Sequence, residues 1–330
     1  MKNIIIFAAG GGNDIFSALA YRKVLISENI DVYIIGVLGL TPLHTNNPSY
    51  MYEDPLIKPT SQMHRYLLCD PIKEISNNER LFPDLANKFA IKDYVCISPK
   101  YSAIYQANEL RKLFTTWGLS SNNAIIHIVD FGGDILTDGT ENSPPISPEL
   151  DAYTLAVVKN LQEYQYTVII CFPGVDGELS NDYLRQYCSD AEKHDVDKEK
   201  WLSALKEIKV NRLGNTIPNM IKILEGNINQ CNLHKQWIIN GEKHMLNIPL
   251  DIDFELQNYI YILSIDHNPF VSIFNTEPYI LENIFEEICK YPIKSSDFHL
   301  NYLRKGTNNI TPNGEVMYLN QVPPMYNLYQ

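Results

Sequence analysis

Residues 4–14 read Ile-Ile-Ile-Phe-Ala-Ala-Gly-Gly-Gly-Asn-Asp, an apolar run that ends in three glycines, an asparagine and an acid. A short, continuous apolar run is typical of a strand that is covered on both faces. The glycines end this strand, and Asn13 or Asp14 can cap a helix over the apolar positions that follow. A second apolar run, Val32–Leu38, comes after that helix. The stretch therefore predicts a βαβ unit with two parallel strands and a right-handed crossover.

The same alternation returns further along the chain. Apolar runs predict strands at residues 94–98, 124–130 and 167–172, and helical periodicity predicts helices at 103–117 and 149–164. Strands that alternate with helices in this way indicate an α/β fold. We therefore expect a doubly wound, mainly parallel sheet with helices on both faces.

Two parts of the chain depart from this pattern. Residues 41–93 contain six prolines and show weak periodicity, so we expect an irregular excursion with short helices, or a lid. Beyond residue 180 we expect helices at 181–192, 198–208, 216–225 and 281–291, a hairpin turn at Asn240-Gly241, and a strand at 259–265. The predicted division is an α/β core over residues 1–180 and a helical or mixed C-terminal region, 181–330, that packs on the core.

The composition excludes some partners. The 330 residues are 45% hydrophobic and 20% charged, as in ordinary globular proteins, and a net charge of −12 argues against nucleic acid as the partner. No apolar stretch approaches the roughly 20 residues that cross a bilayer, so we expect no membrane insertion. We expect a cytoplasmic protein, or one exported without a cleavable signal peptide. The six cysteines show no zinc spacing, and we expect reduced, buried thiols.

Three loops rich in glycine and acids follow predicted strands. They are Gly10-Gly11-Gly12-Asn13-Asp14, then Asp130-Phe131-Gly132-Gly133-Asp134 with its continuation to Glu141, and Pro173-Gly174-Val175-Asp176-Gly177-Glu178. In open α/β sheets, ligands bind outside the carboxyl ends of the strands, where helix N-termini offer free N–H groups. We therefore expect the three loops to converge on one site.

The first loop has the composition of an anion cradle. Gly10, Gly11 and Gly12 let backbone N–H groups approach an anion without side chains in the way. The alternative is a tight strand-to-helix turn that Asn13 or Asp14 caps.

The second loop is the richest in acids. Beside three glycines, Gly132, Gly133 and Gly139, it carries four acids: Asp130, Asp134, Asp138 and Glu141. Like charges held together repel and raise one another's pKa, so we expect a cationic or hydroxylated group to pair with them. The open roles are hydrogen bonds to ribose hydroxyls, magnesium ligation, general-base activation of water, and capture of a guanidinium group. The alternative is a solvated acidic turn.

The third loop again combines glycines with acids. Its acids, Asp176 and Glu178, lie beside Gly174 and Gly177 and can face the same cleft. The alternative is a helix start, at which the helix dipole favours acids.

Several common sites are absent from the sequence. It contains no Gly-Lys-Ser/Thr phosphate loop, no Gly-x-Gly-x-x-Gly dinucleotide fingerprint and no Gly-x-Ser-x-Gly elbow. The sequence therefore argues against a nucleoside triphosphatase, a dehydrogenase and a serine hydrolase. His127 lies inside a predicted strand, and we expect a hydrogen-bonded core histidine there, whereas His44 follows a strand and is a weaker candidate for the cleft.

The three loops resemble the signature blocks of an uncharacterised archaeal and bacterial family, a domain of unknown function. That family opens with Gly-Gly-Gly-Gly-Asp and carries Asp-x-Gly-Gly-Asp and Gly-x-Asp-Gly-Glu blocks. The resemblance covers about residues 3–180, with Asn13 in place of the fourth glycine. The run Ala8–Gly12 also resembles the start of macrodomains, which bind ADP-ribose, although their Asn-Ala-Ala-Asn motif is absent.

The leading hypothesis is a hydrolase that acts on a nucleotide or on an ADP-ribosyl group. The ADP-ribosyl group can be attached to a protein, and the enzyme can release it from arginine. Residues 10–12 would bind phosphate, Asp130 or Asp134 would activate water, and Asp14 or Asp176 would orient the ribose or the leaving group. The hypothesis requires no cofactor and leaves room for Mg²⁺, with ligands that the sequence does not assign. The alternatives are a binding or sensor module for a cationic or sugar-like metabolite, and a metal-dependent transferase.

Overall fold

The computed structural model describes residues 2–11, 14–37, 39–42, 50–53, 72–74, 88–97, 101–137, 148–208, 216–239 and 242–263. The helix predicted at 281–291 and the candidate His44 lie outside these residues.

Strands and helices alternate along the described chain as the sequence predicts. The strands are β1 Asn3–Gly11, β2 Val32–Val37, β3 Gly39–Pro42, β4 Tyr50–Glu53, β5 Ile72–Glu74, β6 Asp93–Ile97, β7 Ala124–Phe131, β8 Tyr166–Cys171, β9 Glu192–Asp195, β10 Asn232–Ile239, β11 Glu242–Pro249 and β12 Tyr259–Leu263. The α-helices are α1 Asp14–Leu25, α2 Ala103–Thr116, α3 Pro148–Lys159, α4 Asn181–Cys188, α5 Lys198–Glu207 and α6 Thr216–Leu224. Short 3₁₀ turns form at Asp134–Leu136, Ile228–Gln230 and Leu256–Asn258.

Eight of these strands form one mixed, mainly parallel sheet in the order β5-β6-β2-β1-β7-β8-β12-β9. The central strands β6, β2, β1, β7 and β8 are parallel, and β5, β12 and β9 join antiparallel at the edges. The predicted α/β fold is therefore confirmed. From β1 the chain proceeds towards β2 and β6, whereas from β7 it proceeds towards β8, so the strand order reverses between β1 and β7. In doubly wound sheets this switch point is the usual place for a ligand.

The strand β1 is the centre of the sheet because its apolar run pairs on both sides. Ile5 lies opposite Tyr33 of β2 and Ile126 of β7, and Ile4 to Ala9 are all buried. The crossovers from β1 and from β7 run in opposite directions along the sheet. Since both are expected to be right-handed, α1 and α3 cover opposite faces and begin on opposite sides of the switch point.

Several predicted elements need correction. The helix predicted at 181–192 ends at Cys188, and Glu192–Asp195 instead forms the exposed edge strand β9, whose backbone pairs with β12. The helix predicted to reach residue 164 ends at Lys159, where Arg111 donates a 2.5 Å hydrogen bond to the carbonyl of Asn160 and so satisfies the helix end. Within 41–93 the described parts hold the end of β3, the strands β4 and β5 and the start of β6; most of the segment lies outside the described residues, so the short helices and the lid stay predictions.

Other predictions of local structure are confirmed. The strands β10 and β11 pair antiparallel on either side of Asn240-Gly241, as the predicted hairpin requires. Cys96, Cys171, Cys188 and Cys231 are buried thiols, and Cys69 and Cys289 lie outside the described residues.

No helix among the described residues is long and apolar enough to cross a membrane.

The chain beyond residue 180 fixes the third loop in place. The side-chain amide of Asn219, in α6, donates 3.0 Å hydrogen bonds to the carbonyls of Val175 and Asn232. The amide of Gln257 donates a 2.7 Å hydrogen bond to the carbonyl of Pro173. Both amides are buried, so water cannot replace them cheaply. The division at residue 180 stays a prediction.

We expect Asn219→Leu to lower the free energy of unfolding by about 2–3 kcal/mol, because it leaves buried carbonyls without a donor. Chemical denaturation measures this change, and limited proteolysis reports whether the third loop opens. Lys200→Ala, on the exposed surface of α5, is the control and should change stability by less than about 0.5 kcal/mol. Equal stability of Asn219→Leu and wild type would show that these hydrogen bonds do not hold the loop.

Candidate functional site

The second and third loops form one hydrogen-bonded unit at the carboxyl edge of the sheet. The N–H of Gly174 donates a 2.6 Å hydrogen bond to the carbonyl of Gly132, and the N–H of Gly132 donates to the carbonyl of Cys171 at 3.3 Å. Because the strands β7 and β8 are neighbours, these bonds continue their pairing into the loops. The acids of both loops therefore have a fixed relative position.

Three aspartates from three elements form the centre of the site. Asp130 is near the end of β7, Asp134 begins the 3₁₀ turn that follows, and Asp151 lies in the first turn of α3. Each offers a carboxylate oxygen, and these atoms all lie within 4.8 Å of one another. Asp130 and Asp151 are each only 1% exposed, whereas Asp134 is partly exposed and opens the group to solvent.

Asp14 and Asp176 extend this group towards the first and third loops. Gly10 has a φ of 82°, and a Cβ built on it would lie 2.7 Å from Oδ2 of Asp14 and 3.2 Å from Oδ2 of Asp151. At Gly132, with a φ of 130°, a Cβ would overlap the carboxyl group of Asp176. Glycine at these two positions therefore lets carboxyl groups lie directly against the backbone. We call Asp14, Asp130, Asp134, Asp151 and Asp176 the carboxylate cluster.

Burial and mutual repulsion raise the pKa of every member of the carboxylate cluster well above its usual range. For Asp151 the main cause is loss of solvation, followed by the charges of Asp134, Asp130 and Asp14. For Asp14, Asp130, Asp134 and Asp176 the loss of solvation is again the largest cause of the raised pKa, and neighbouring carboxyls add to it. Carboxyls this close titrate as a group, so the ionisation of each one depends on the charge of the others.

The hydrogen bonds to the carboxylate cluster are few. Asp130 accepts a 3.3 Å hydrogen bond from the N–H of Ile135, and Asp176 accepts one of 3.1 Å from the N–H of Glu178. Among the described residues, both oxygens of Asp151 and Oδ1 of Asp130 are buried without a hydrogen-bond donor outside the carboxylate cluster; within it, Asp134 is the hydrogen-bonding neighbour of both residues. Buried polar atoms in native proteins are nearly always satisfied, by protein, water or an ion. Asp130, Asp134 and Asp151 are therefore the residues that could hold a metal.

The other predicted site residues fall into three groups. Glu178 is partly exposed and lies close enough to the carboxylate cluster to raise the pKa of Asp176. Gly133 and Gly174 pack against Leu184, and Gly177 against Leu250, which gives each a packing reason; their role in ligand binding stays a prediction. Gly11 ends β1, and the remaining candidates lie outside the described residues: Gly12, Asn13, Asp138, Gly139 and Glu141.

Sequence reasoning missed Asp151. No glycine-rich loop surrounds it, and helical periodicity alone predicts only that it lies in a helix. The signal was nevertheless present, because Asp151 stands in the run Leu-Asp-Ala-Tyr-Thr-Leu-Ala-Val-Val at 150–158, which has no polar face. A helix that is apolar all round is buried, and a charged residue inside it needs a partner.

His127 is hydrogen-bonded, as predicted, but it is partly rather than fully buried. Its Nδ1 lies 2.9 Å from the hydroxyl oxygen of Tyr21, and burial lowers the pKa of His127 to about 4. The ring is therefore neutral at physiological pH, and it contributes no positive charge to the sheet.

Comparison with protein families matches residues 5–220 to the family described as "Protein of unknown function (DUF1152)". The match covers most of the chain, including all three loops, and the chain belongs to this family. The predicted resemblance to a family of unknown function is thereby confirmed, and the resemblance to macrodomains stays a prediction. None of the curated proteins compared with the chain matches it.

The raised pKa values predict how stability depends on pH. Below about pH 4 these carboxyls are protonated in the folded and in the unfolded protein. Above about pH 4 the carboxyls of the unfolded chain ionise, while the carboxylate cluster of the folded protein retains protons. The folded state then binds more protons, so its stability falls as pH rises. We expect the unfolding midpoint of protein kept in EDTA to decrease between pH 5 and pH 8.

Asp151→Asn should weaken this pH dependence and raise the unfolding midpoint at pH 7 by a few degrees. For a protein of this size, a change of 1 kcal/mol in the free energy of unfolding shifts the midpoint by roughly 2–4 °C. Thermal unfolding in EDTA across the pH range measures both effects. The matched control is Asp190→Asn, which removes an exposed carboxylate and should leave the curve unchanged. A wild-type midpoint that is constant from pH 5 to pH 8 would contradict the electrostatic description of the site.

Proposed function

We propose that the protein is a hydrolase acting on a nucleotide or on an ADP-ribosyl group, including ADP-ribose attached to an arginine of another protein. The observation that carries the proposal is the convergence of Asp14, Asp130, Asp134 and Asp176 at the switch point of a doubly wound sheet. Nucleotides bind at this place in many α/β enzymes, and paired carboxyls provide the acid and base of glycoside cleavage.

The reaction needs one carboxylate to accept a proton and one carboxyl to donate one. Asp134 is partly exposed, so a water molecule can reach it, and it serves as the general base. The hydroxyl of that water bonds to the anomeric carbon of the ribose as the glycosidic bond breaks. An arginine or adenine leaving nitrogen receives a proton from a neighbouring carboxyl, whose raised pKa favours the protonated form, whereas the nicotinamide of NAD leaves as a neutral base and needs no proton.

The remaining groups hold the substrate. Asp14 begins α1, and the carboxyl group of Asp176 lies against Gly132 of the second loop. The two residues therefore approach the cleft from different elements. Their oxygens can accept hydrogen bonds from ribose hydroxyls or from a guanidinium leaving group. The backbone of residues 10–12 is the proposed contact for a phosphate.

We expect wild-type protein to hydrolyse at least one of ADP-ribosyl-arginine, NAD and AMP, with Asp134→Asn reducing kcat/KM by about 10²–10⁴-fold through loss of the general base. Mass spectrometry of the products in ¹⁸O-water measures turnover and places the label on the ribose. The control Asp190→Asn should retain wild-type turnover. Undiminished turnover by Asp134→Asn would contradict the mechanism.

A second candidate is a module that binds a cationic metabolite without chemistry. It is favoured by the absence, within the described residues, of any ion pair between the carboxylate cluster and a lysine or arginine. A guanidinium or polyamine ligand would supply the missing charge. In this case arginine or spermidine would raise the unfolding midpoint and be recovered unchanged after long incubation.

A further inference from the structure

We propose that Asp130, Asp134 and Asp151 bind a hard divalent cation, Mg²⁺ or Ca²⁺. Their oxygens lie within 4.8 Å of one another, a separation at which one ion can contact all three after small side-chain adjustments. The donor set consists of carboxylate oxygens alone, without cysteine or histidine. Hard cations prefer such donors, whereas zinc and copper favour sites with nitrogen or sulfur.

The unpartnered carboxyl of Asp151 is the observation that points to a ligand. An aspartate in the first turn of a helix normally reaches solvent or accepts a hydrogen bond from a backbone N–H. Asp151 is instead 1% exposed, and among the described residues neither of its oxygens has a donor outside the carboxylate cluster, within which Asp134 is its hydrogen-bonding neighbour. A buried carboxyl without a donor costs stability, and a bound cation removes that cost.

The three ligands come from separate structural elements, which favours a defined site over a flexible acidic patch. The strand β7 fixes Asp130, the N–H of Ile135 holds its Oδ2, and α3 carries Asp151 to the same point from the other side of the loop. Asp134 is partly exposed and gives an ion a path from solvent. Three protein ligands leave further positions of a six-coordinate ion for water or for substrate oxygens.

The cation would change how the substrate is held, a consequence that rests on the proposed function. Asp14 and Asp151 lie against Gly10, so a phosphate at the first loop would meet two carboxyl groups. A divalent ion held by Asp130, Asp134 and Asp151 next to this phosphate converts the repulsion into attraction. This inference names the chemical class of substrate as a phosphate ester or diphosphate bound through the ion.

The test measures cation binding without any substrate. Protein freed of metal with EDTA is titrated with Mn²⁺ as the probe, and free Mn²⁺ is followed by electron paramagnetic resonance; Mg²⁺ and Ca²⁺ are then added as competitors. We expect one Mn²⁺ per chain in wild type, displaced by Mg²⁺ or Ca²⁺. Asp151→Asn should weaken binding by at least about tenfold, since loss of even a supporting residue commonly costs that much.

Two further variants keep the outcome clear. Asp190→Asn removes an exposed carboxylate and should bind like wild type, while Asp134→Asn removes a partly exposed ligand and should bind weakly. Circular dichroism verifies that each variant is folded. If Asp151→Asn is unfolded, the result for Asp134→Asn tests the proposal. Absence of Mn²⁺ binding to wild type, or equal binding by the ligand variants, overturns the proposal. Cation binding without any hydrolysis would leave this site standing and reject the proposed function.

Discussion

The rest of the structure depends on the repulsion among carboxyl groups at the switch point between β1 and β7. Desolvation and like charge both oppose ionisation of Asp14, Asp130, Asp134, Asp151 and Asp176, so the cluster destabilises the fold that contains it. The surrounding structure offsets this cost through burial of apolar surface. The strand β1 is buried from Ile4 to Ala9, and its neighbours β2 and β7 are apolar along most of their length. A strained site on a rigid apolar sheet is the usual way in which proteins hold reactive groups together.

Rigidity at the loops has a different origin from rigidity in the sheet. Loops carry backbone groups that no ladder satisfies, and here side chains from distant parts of the chain satisfy them. Asn219 and Gln257 donate to carbonyls of the third loop, and the hydroxyl of Tyr183 donates a 2.8 Å hydrogen bond to the carbonyl of Leu136 in the second. Trp201 packs edge-to-face against Phe131 and Phe172, the residues next to the carboxylate cluster and the third loop. The chain beyond residue 180 therefore determines where the acids stand, although it supplies none of the five.

The sequence was sufficient for the fold and for most of the carboxylate cluster because both rest on local patterns. Apolar runs that end in glycine predicted β1, β7 and β8, and the rule that parallel strands share a carboxyl edge predicted that their loops meet. What local patterns could not supply was long-range pairing. The segment Glu192–Asp195 is a strand only because β12 lies beside it, and Asp151 joins the cluster only because α3 packs on β1. Neither fact follows from the neighbours of these residues in the chain.

The charge of the site constrains its chemistry more strongly than the identity of its loops. A nucleotide or ADP-ribosyl group carries negative phosphates, and a cleft walled by ionised carboxylates would repel it. Either the carboxyls hold protons, in which case phosphate can approach and a proton is at hand for a leaving group, or a cation lies among them and contacts the phosphate directly. The first state is favoured by burial and the second by the unpartnered oxygens of Asp151. Both states require the acids to lie close together, so this placement fits the proposed substrate, whose phosphates need a proton or a cation beside them.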